Sequence, residues 1–432
     1  MHRGEVIFRT WSVCPVCLKR IPAERIRSNG KVYLCKSCPE HGDSQSIIWR
    51  GFSEIEEWIN GSDIMQTEEP QCPEECGLCS DHLQKTCCTI LNVTERCNLD
   101  DCRFCFAVND SGKPDPTLGE IKESLNRLTV KGKSLVQLSG GEPTVREDLP
   151  QIIKAARDAG AKYVQLNTNG IRLGEEKQYA GELAAAGLSF VFMQFDGMDD
   201  SVFQSLRGKP LLNVKQQAIV NCAEHNIGVT LVPTLVRDVN TDHIGDIITY
   251  AVSMVPKVRG VHFQPVSFFG RIPGSPSESE RITLDELIFE IERQTEGIIK
   301  MSDLIPSECN HPLCGFHGSF YVENESVISL VKREFRERKC CCGSDSADRN
   351  REFIARHWQR SEVRENCGAP AGDVHDMEYF LENIASHGFT ITSMAFQDAG
   401  NIDLLRLRTC SLHVYDKGRF VPFCSYYLTK WQ

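Results

Sequence analysis

The chain has 432 residues, of which 41% are hydrophobic and 25% are charged, and its formal net charge is −11. This composition is typical of a globular protein, and an acidic chain without a basic run argues against a nucleic-acid partner bound through its phosphates. No stretch approaches the ~20 apolar residues of a membrane span, and the first residues lack the apolar segment of a signal peptide, so we expect a cytoplasmic protein. The 21 cysteines occur in tight groups, and in a reducing compartment such groups indicate metal binding rather than disulfides.

Residues 1–64 carry two Cys-x-x-Cys pairs, Cys14 with Cys17 and Cys35 with Cys38. Short strand-like segments lie between and after the two pairs, and each CxxC turn exposes backbone N–H groups toward its thiolates. Four sulfur ligands make a tetrahedral site for Zn or for a single rubredoxin-like Fe, and both metals stay open. We therefore predict an N-terminal metal knuckle with four cysteine ligands.

Residues 65–88 form a link rich in proline, glutamate and cysteine. Cys72, Cys76 and Cys79 lie close together in this link, and Cys87 and Cys88 follow. Thiols at this spacing fit an auxiliary iron–sulfur cluster or a second zinc knuckle, and both interpretations stay open.

Residues 89–295 alternate between strand-like and helix-like segments. The strand-like runs are 89–93, 135–138, 163–166, 190–195, 229–235 and 260–266. Three patterns read as capping boxes at helix starts: Thr117…Glu120, Thr144…Glu147 and Thr283…Glu286. Six successive β–α units predict an α/β fold, a partial (β/α)6 TIM-like barrel with its helices outside the sheet. The remaining residues, 296–432, break this rhythm and predict a separate Cys-rich α+β region.

The loop after the first barrel strand holds three closely spaced cysteines, Cys97, Cys102 and Cys105. The C-terminal edge of parallel strands is where the active sites of β/α folds lie. Three thiolates can hold three irons of a [4Fe–4S] cluster and leave the fourth iron open to a substrate or cofactor. We expect this loop to be the catalytic centre.

The next three strand ends also carry polar residues. Ser139, Gly140, Gly141 and Glu142 follow the second strand, Asn167 and Asn169 the third, and Gln194 and Asp196 the fourth. The two glycines let the backbone approach a ligand closely, and the Glu142 carboxylate suits an ammonium group. The order and spacing of the four polar strand ends are a far more specific signal than any one of them.

These motifs together resemble the radical S-adenosylmethionine (SAM) superfamily over residues 89–270. The resemblance implies a [4Fe–4S] cluster on Cys97, Cys102 and Cys105, whose open iron SAM would chelate through its amine and carboxylate. It further implies cofactor contacts from the polar strand ends and from Arg207; the implied set is Ser139, Gly140, Gly141, Glu142, Asn167, Asn169, Gln194, Asp196 and Arg207. A plain helix end remains the alternative for Arg207.

One departure from the family pattern concerns the cysteine spacing. The family usually shows CxxxCxxC, whereas four residues separate Cys97 from Cys102. Cys72, Cys76 and Cys79 have the usual spacing, but they precede the first barrel strand and have no GGEP-like motif at the right distance. We therefore assign the radical cluster to Cys97, Cys102 and Cys105, with the extra loop residue absorbed as a bulge.

The wider cysteine architecture is similar to that of tetraether lipid synthase and its bacterial TrsS-like (seleno)protein relatives. That resemblance implies two auxiliary [4Fe–4S] clusters. One would use Cys72, Cys76 and Cys79 with Cys88 or Cys87, and the other would use Cys309, Cys314, Cys410 and Cys424. Single buried thiols are the alternative for the second set. The run Cys340–Cys342 reads either as incidental thiols on a surface loop or as a soft-metal or redox-active element.

These features predict an enzyme that cleaves SAM reductively to a 5′-deoxyadenosyl radical, which abstracts hydrogen from a lipid chain, a peptide or a small metabolite. The resemblance implies a flavodoxin- or ferredoxin-type electron donor, and a lipid substrate would require access to a membrane surface. One alternative is transfer of an aminocarboxypropyl or methyl group from SAM, with a thiol-bound metalloid as one conceivable acceptor. Another is a non-enzymatic iron–sulfur electron carrier, which would need neither the GGEP-like motif nor the polar strand ends.

Overall fold

The structure, a computed structural model, describes residues 4–62, 72–73, 82–107, 112, 114–130, 132, 134–270, 276–324, 326–330 and 386–429. Within these ranges no helix combines the length and the apolar character needed to cross a membrane.

The N-terminal unit is a four-stranded antiparallel sheet in the order β1-β2-β3-β4. Its strands are β1 (Glu5–Val13), β2 (Arg20–Ser28), β3 (Lys31–Cys38) and β4 (Gly42–Trp49), and helix α1 (Ile55–Ile59) follows. Asn29 and Gly30 join β2 to β3 and both have positive φ, 52° and 77°. An Asn-Gly pair in this conformation makes the two-residue turn that matches the twist of a hairpin.

Six parallel strands form the centre of the second, thirteen-stranded sheet, and they follow one another in chain order. They are β5 (Cys88–Thr94), β6 (Leu135–Gly140), β7 (Tyr163–Thr168), β8 (Phe190–Gln194), β9 (Gly228–Val232) and β11 (Val258–Pro265), with the short β10 (Thr234–Leu235) paired to β11. The predicted α/β partial barrel is confirmed.

The helices that follow these strands pack against the outer face of the sheet. They are α2 (Leu118–Leu128), α3 (Leu149–Asp158), α4 (Ile171–Glu175), α5 (Tyr179–Ala185), α6 (Asp200–Arg207), α7 (Leu212–Glu224), α8 (Ile244–Ser253) and α9 (Leu284–Gln294). Buried aliphatic side chains from strands such as β6 and β8 and from helices such as α3 and α7 form one continuous core. The strand residues that point the other way face the inside of the barrel, because side chains alternate along a strand.

Two of the three predicted capping boxes are confirmed, at Thr117 with Glu120 and at Thr283 with Glu286. The box at Thr144 is wrong, because α3 begins later, at Leu149, after Asp148. The Thr144 hydroxyl instead donates to Glu142 Oε1 at 2.7 Å. A pattern that resembled a helix start thus belongs to the turn after β6.

The C-terminal region extends the barrel sheet at both edges. Its strands are β12 (Ile305–Pro306), β13 (Gly315–Glu323), β14 (Ser326–Ser329), β15 (Gly388–Met394), β16 (Leu412–Asp416) and β17 (Arg419–Pro422), and its helices are α10 (Leu404–Arg408) and α11 (Phe423–Thr429). β15 pairs with β11, and β16 pairs with β5. Residues 386–429 therefore contribute a strand to each edge of the six-stranded centre, whereas the predicted boundary at residue 296 stays a prediction.

A buried ion pair holds the N-terminal sheet against this C-terminal segment. Arg25 donates to Asp403 Oδ2 through Nε at 3.1 Å and Nη2 at 2.7 Å, and both side chains are almost fully buried. Burial alone would raise the pKa of Asp403, but the Arg25 guanidinium lowers it. Thr10 Oγ1 donates to the other oxygen at 2.7 Å, and Lys36 Nζ donates to Ala399 O at 2.7 Å. Because breaking a buried pair leaves an uncompensated charge, the two units are firmly joined.

Candidate active site and metal centres

The three-cysteine loop leaves β5 at the C-terminal edge of the sheet. Cys97, Cys102 and Cys105 are all half-buried and all line one cavity of about 330 Å³. Burial raises the pKa of Cys97 to about 12, and the charges of Glu142, Cys102 and Cys105 add to this shift. A metal centre bound to Cys97 would lower this pKa again, because a thiol that ligates a metal loses its proton.

The turn after β6 is locked onto this loop through its two glycines. Gly141 N donates to Thr94 O at 2.9 Å, and Glu142 N donates to Arg96 O at 2.8 Å. A Cβ on Gly140, whose φ is +134°, would lie 2.1 Å from Thr94 O, and one on Gly141 would lie 2.2 Å from Arg96 O. Any larger residue at either position would push the turn away from the cysteine loop.

Glu142 is 1% exposed and is satisfied within the protein. Its Oε1 accepts hydrogen bonds from Thr144 N, Thr144 Oγ1 and Thr168 Oγ1 at 3.0, 2.7 and 2.7 Å, and its Oε2 accepts one from Asn169 N at 2.6 Å. Burial raises its pKa, and these hydrogen bonds oppose the shift. The carboxylate therefore joins the ends of β6 and β7, and its binding of an ammonium group stays a prediction.

Asn169 carries this connection onward to the cysteine loop. Its Nδ2 donates to Asn98 Oδ1 at 2.7 Å, next to Cys97 in the chain, and its Oδ1 accepts from Ile171 N at 3.0 Å. Asn167 lines the cavity, and its Oδ1 accepts from Gln165 Nε2 at 2.6 Å.

Arg207 and Asp196 form a buried ion pair at the edge of the cavity. Arg207 Nε and Nη2 donate to the two oxygens of Asp196 at 2.8 and 3.0 Å. Arg207 also hydrogen-bonds the Cys102 thiol and Thr234 Oγ1. Burial raises the pKa of Cys102, and the guanidinium opposes that shift. Arg207 faces the cavity, while Asp196 is fully buried and orients it.

Lys215 is a buried positioning residue that the sequence analysis missed. Its Nζ donates to Asn169 O and Gln194 O, each at 2.7 Å, and to Gln194 Oε1 at 3.2 Å. Burial lowers its pKa to about 7. The lysine ties the ends of β7 and β8 together from α7. No sequence pattern indicates this role, because a lone lysine in an amphipathic helix usually faces water.

The cavity runs from the cysteine loop into the barrel, where its lining carries hydrogen-bonding groups without formal charge. Among the described residues that line it, Glu142 and Arg207 are the charged ones apart from thiols and histidines, and both already have partners in the protein. The polar side chains of the lining without a carboxylate, amine or guanidinium include Gln137, Asn167, Gln194, His262, Gln264, Asn310, His317 and Thr392. Of the predicted cofactor contacts, Ser139, Gly140, Gly141, Glu142, Asn167, Asn169, Gln194 and Arg207 line the cavity.

The three-cysteine loop fits an iron–sulfur cluster that keeps one iron open. It offers three thiols and faces a cavity, and Gly140 and Gly141 keep the neighbouring backbone close to the loop. A fourth ligand from the protein is not needed, since an open position is what distinguishes a catalytic metal centre from a structural one.

The N-terminal knuckle has a different ligand set from the predicted one. The ligand atoms of Cys14, Cys17, Cys38 and His41 all lie within 4.8 Å of one another. Cys14 Sγ and Cys38 Sγ lie 3.7 and 3.5 Å from His41 Nδ1, and the Cys17 and Cys38 sulfurs are 4.0 Å apart. Tetrahedral ligands about 2.3 Å from one Zn are roughly 3.8 Å apart, so these four atoms fit one ion. The hydrogen bond from His41 lowers the pKa of Cys38.

The prediction that Cys35 is a metal ligand is corrected, because the structure places Cys35 outside the group of four ligand atoms. It packs with Ile26, Tyr33 and Ile47 in a small apolar cluster. Cys35 and Cys38 are three residues apart on β3, and an odd spacing on a strand puts the two side chains on opposite faces. The second CxxC of the sequence is therefore not a ligand pair, and the turn that follows β3 supplies His41 instead.

The structure divides the C-terminal cysteines into two groups. Burial raises the pKa of Cys410, and like-charge interactions with Cys424 and Cys314 add to this shift. These three thiols therefore lie near one another. Cys309 instead hydrogen-bonds Cys87, and this interaction raises its pKa well above the ordinary value. Three of the four predicted ligands therefore lie near one another and Cys309 lies beside Cys87, while the auxiliary cluster on these cysteines stays a prediction.

The link cysteines are only partly described. Cys72 is buried in the apolar cluster that also contains Cys424, and Ser425 Oγ donates to Pro73 O at 3.2 Å. The Cys87 and Cys88 sulfurs are 3.6 Å apart. Cys76, Cys79 and the run Cys340–Cys342 lie outside the described residues.

Aromatic side chains from the C-terminal segment cover the cysteine loop. The ring of Phe106, next to Cys105, lies 4.7 Å from that of Tyr427 and 5.4 Å from that of Phe423. Phe423 and Phe396 stack at 4.1 Å, and both line the cavity. Helix α11 therefore packs two of its aromatic side chains against Phe106, next to Cys105.

Comparison with known proteins supports the assignment of an iron–sulfur cluster to the three-cysteine loop. The model of the radical SAM superfamily matches residues 91–251, and that of the HMPTM N-terminal zinc ribbon domain matches residues 6–50. The chain is 35% identical to 7,8-dihydro-6-hydroxymethylpterin dimethyltransferase of Methanocaldococcus jannaschii, over 97% of this chain and 93% of the relative. It is 30% identical to Fe-coproporphyrin III synthase of Methanosarcina barkeri, over 46% and 48% of the two chains. Streptococcus suis SuiB bound to the precursor peptide SuiA is a similar solved structure, with a TM-score of 0.39 and 16% identity, covering 50% of this chain and 46% of that one.

Proposed function

Because the chain belongs to the radical SAM superfamily, and within it to the family of the M. jannaschii pterin dimethyltransferase, we propose that it is a radical SAM methyltransferase for a reduced pterin. The enzyme would cleave one SAM reductively at Cys97, Cys102 and Cys105 into methionine and a 5′-deoxyadenosyl radical, which takes from the heterocycle the hydrogen atom that a methyl group replaces. A second SAM would donate that methyl group and leave as S-adenosylhomocysteine, and the electron donor would supply two electrons for each methyl group transferred.

The observation that carries this proposal is the neutral, hydrogen-bonding interior of the cavity that the cysteine loop faces. A pterin is a flat, uncharged heterocycle whose edge alternates hydrogen-bond donors and acceptors. Side chains such as Gln137, His262 and Gln264 offer both kinds of group inside the barrel. Enzymes that recognise such substrates surround them with apolar contacts and a few fixed polar groups.

The residues of the site have separable roles in this reaction. When bound, a [4Fe–4S] cluster supplies the electron for reductive cleavage of SAM. Arg207 lies at the edge of the cavity beside Cys102, and two hydrogen bonds to Asp196 fix the orientation of the Arg207 guanidinium. Glu142 and Lys215 hold the ends of β6, β7 and β8 in place. Phe106, Phe423 and Tyr427 exclude water, which protects a reactive radical.

Two further metal assignments belong to the proposal. Cys314, Cys410 and Cys424, with Cys72 as the candidate fourth ligand, would hold one auxiliary [4Fe–4S] cluster against α11. Zn in the knuckle is favoured over a rubredoxin-like Fe, because the set of three thiols and one imidazole is a common zinc site. A flavodoxin- or ferredoxin-type protein would supply the electron.

A lipid substrate, as in tetraether lipid synthase, is the second candidate for the radical reaction. The interior of the cavity gives it less support, because an alkyl chain would displace water from polar side chains such as Gln137 and Gln264 and offer them no hydrogen bond, at a cost of about 1–3 kcal/mol each. An electron carrier would have no use for a cavity that opens onto its cluster.

The test uses the full chain with its clusters reconstituted under anaerobic conditions. The reduced protein is mixed with SAM and 6-hydroxymethyl-7,8-dihydropterin, and the products are identified by mass spectrometry. We expect 5′-deoxyadenosine together with a pterin that has gained methyl groups, and SAM labelled in its methyl carbon reports whether that carbon is transferred. Formation of 5′-deoxyadenosine with an unchanged pterin would refute the proposed substrate, and intact SAM would refute the enzyme assignment as well.

A further inference from the structure

Three side chains form a row across neighbouring strands on the inner wall of the barrel. His262 of β11 pairs with Thr392 of β15, and Thr392 pairs with His317 of β13. Residues directly opposite each other on paired strands point to the same face of a sheet. All three line the cavity, so the row forms part of its surface opposite the first barrel strands.

His262 can act as a neutral hydrogen-bonding group in this row. Its Nδ1 lies 2.8 Å from Thr392 Oγ1, and burial lowers its pKa to about 4. One ring nitrogen is therefore engaged by a hydroxyl, which can pair with either tautomer because it both donates and accepts. The Phe192 ring lies 5.4 Å from the imidazole at a tilt of 39° and lines the cavity as well, so an apolar ring adjoins the polar row.

We propose that His262, Thr392 and His317 determine substrate specificity by hydrogen-bonding the polar edge of a planar, uncharged nitrogen heterocycle. This inference rests on the proposed function and adds which residues recognise the substrate. The row has both donors and acceptors, and the Thr392 hydroxyl and the uncharged His262 imidazole suit an edge that alternates C=O and N–H groups. Phe192 provides the apolar contact for the adjacent ring face.

The layer beneath the row is closed, which sets the depth at which a substrate stops. Thr230 pairs with Gly260, Gly260 with Thr390, and Thr390 with Ser319. A Cβ on Gly260 would lie 2.3 Å from Thr390 Oγ1, so this layer is already packed. The Thr230 and Thr390 side chains are at most 1% exposed, and a ligand in the cavity therefore meets the row above them.

The layer also offers a matched control. Thr230 is buried on a strand of the same barrel, and its Oγ1 has no hydrogen-bond partner among the described residues. Thr230→Val and Thr392→Val make the same chemical change, the loss of one hydroxyl with almost no change of volume. They differ in that Thr392 lines the cavity and holds His262.

The experiment measures the binding of 6-hydroxymethyl-7,8-dihydropterin to the reconstituted holoenzyme by quenching of the pterin fluorescence. We expect the Kd to rise about tenfold or more in Thr392→Val and in His262→Phe, since a lost hydrogen bond of roughly 1.4 kcal/mol is one factor of ten. Thr230→Val should bind within about twofold of the wild type, and Thr392→Ser should restore most of the affinity. Iron content and the unfolding temperature show that each variant is folded.

The outcomes separate this inference from the function on which it rests. If the wild type binds the pterin and Thr392→Val and His262→Phe bind it equally well, the specificity row is refuted while the proposed substrate stands. If the wild type cleaves SAM but does not bind the pterin, the proposed substrate fails and the row loses its ligand. A Thr230→Val variant that weakens binding as much as Thr392→Val would refute the row by showing a general effect of barrel packing.

Discussion

The protein carries two thiol sites whose geometries contrast. The knuckle of Cys14, Cys17, Cys38 and His41 brings four ligand atoms within 4.8 Å of one another, whereas Cys97, Cys102 and Cys105 stand around a cavity. The first arrangement fits a single four-coordinate ion and belongs to a small sheet held in place by a buried ion pair. The second leaves a position for a ligand and is surrounded by buried charges. The contrast shows that donor number and surroundings, rather than cysteine spacing, distinguish a structural metal site from a catalytic one.

The largest expected effect follows from removing the three cysteines that face the cavity. A variant with Cys97, Cys102 and Cys105 all replaced by Ala should lose SAM cleavage to background and one cluster's worth of iron. Its zinc content should not change, because the knuckle lies in a separate sheet. The measurements are 5′-deoxyadenosine formation and metal analysis. Retained cleavage would instead assign the radical cluster to Cys72, Cys76 and Cys79.

The knuckle is tested by two substitutions, one at His41, which lies with the other ligand atoms, and one at Cys35, the ligand that the sequence predicted in its place. His41→Ala should weaken zinc binding by about 100-fold or more and lower the unfolding temperature, since metal binding is coupled to folding. Cys35→Ala should keep the zinc and cost roughly 1–2 kcal/mol of stability through lost packing. Metal analysis after dialysis against a chelator distinguishes the two. Loss of zinc from Cys35→Ala alone would restore the four-cysteine site.

The buried charges around the open site are tested at Arg207. Arg207→Lys cannot reproduce the two parallel hydrogen bonds to Asp196, so kcat/KM for SAM cleavage should fall about 10–100-fold, or roughly 1.4–2.7 kcal/mol. Arg237→Lys is the matched control, because Arg237 pairs with Glu286 and does not line the cavity. Equal effects of the two changes would remove the assigned role of Arg207.

The smallest effect concerns the pH dependence that the buried Lys215 confers. Its pKa is about 7 in the folded protein, against an ordinary lysine value of 10.5, so between these values the unfolded chain binds a proton that the folded chain does not. The free energy of unfolding should therefore rise with pH above 7, by roughly 1 kcal/mol per unit, and level off below 7. Lys215→Met should lose this contribution. Urea unfolding of both proteins at pH values of about 6.5, 7.5 and 8.5 measures the difference, and parallel curves would contradict it.

The sequence predicted the parts of this structure that depend on local pattern. The alternation of strands and helices indicated the barrel, and eight of the nine predicted cofactor contacts line the cavity, because the C-terminal ends of parallel strands meet at one edge. The ligand set of the knuckle was wrong in one position, since two CxxC pairs suggest four sulfurs while the strand geometry of β3 turns Cys35 away.

The parts that the sequence did not predict depend on contacts between distant segments. Thr392 lies 130 residues from His262 along the chain, and only the register of β11 with β15 brings them together. The same holds for Cys309 beside Cys87, whereas the proximity of Cys410 to Cys314 and Cys424 was expected from the family resemblance alone. Lys215 escaped notice because its partners are backbone carbonyls, which have no signature in the sequence.

The position of β15 and β16 on opposite edges of the parallel strands has a consequence for biosynthesis. The ribosome completes residues 88–265, which include the cysteine loop and six barrel strands, well before it makes residues 386–429. Until that last segment emerges, the barrel lacks both flanking strands and the aromatic cover of α11. A nascent chain at that stage would hold Cys97, Cys102 and Cys105 without the aromatic side chains that later pack on Phe106. If the cluster is inserted then, the finished enzyme need not open again to receive it.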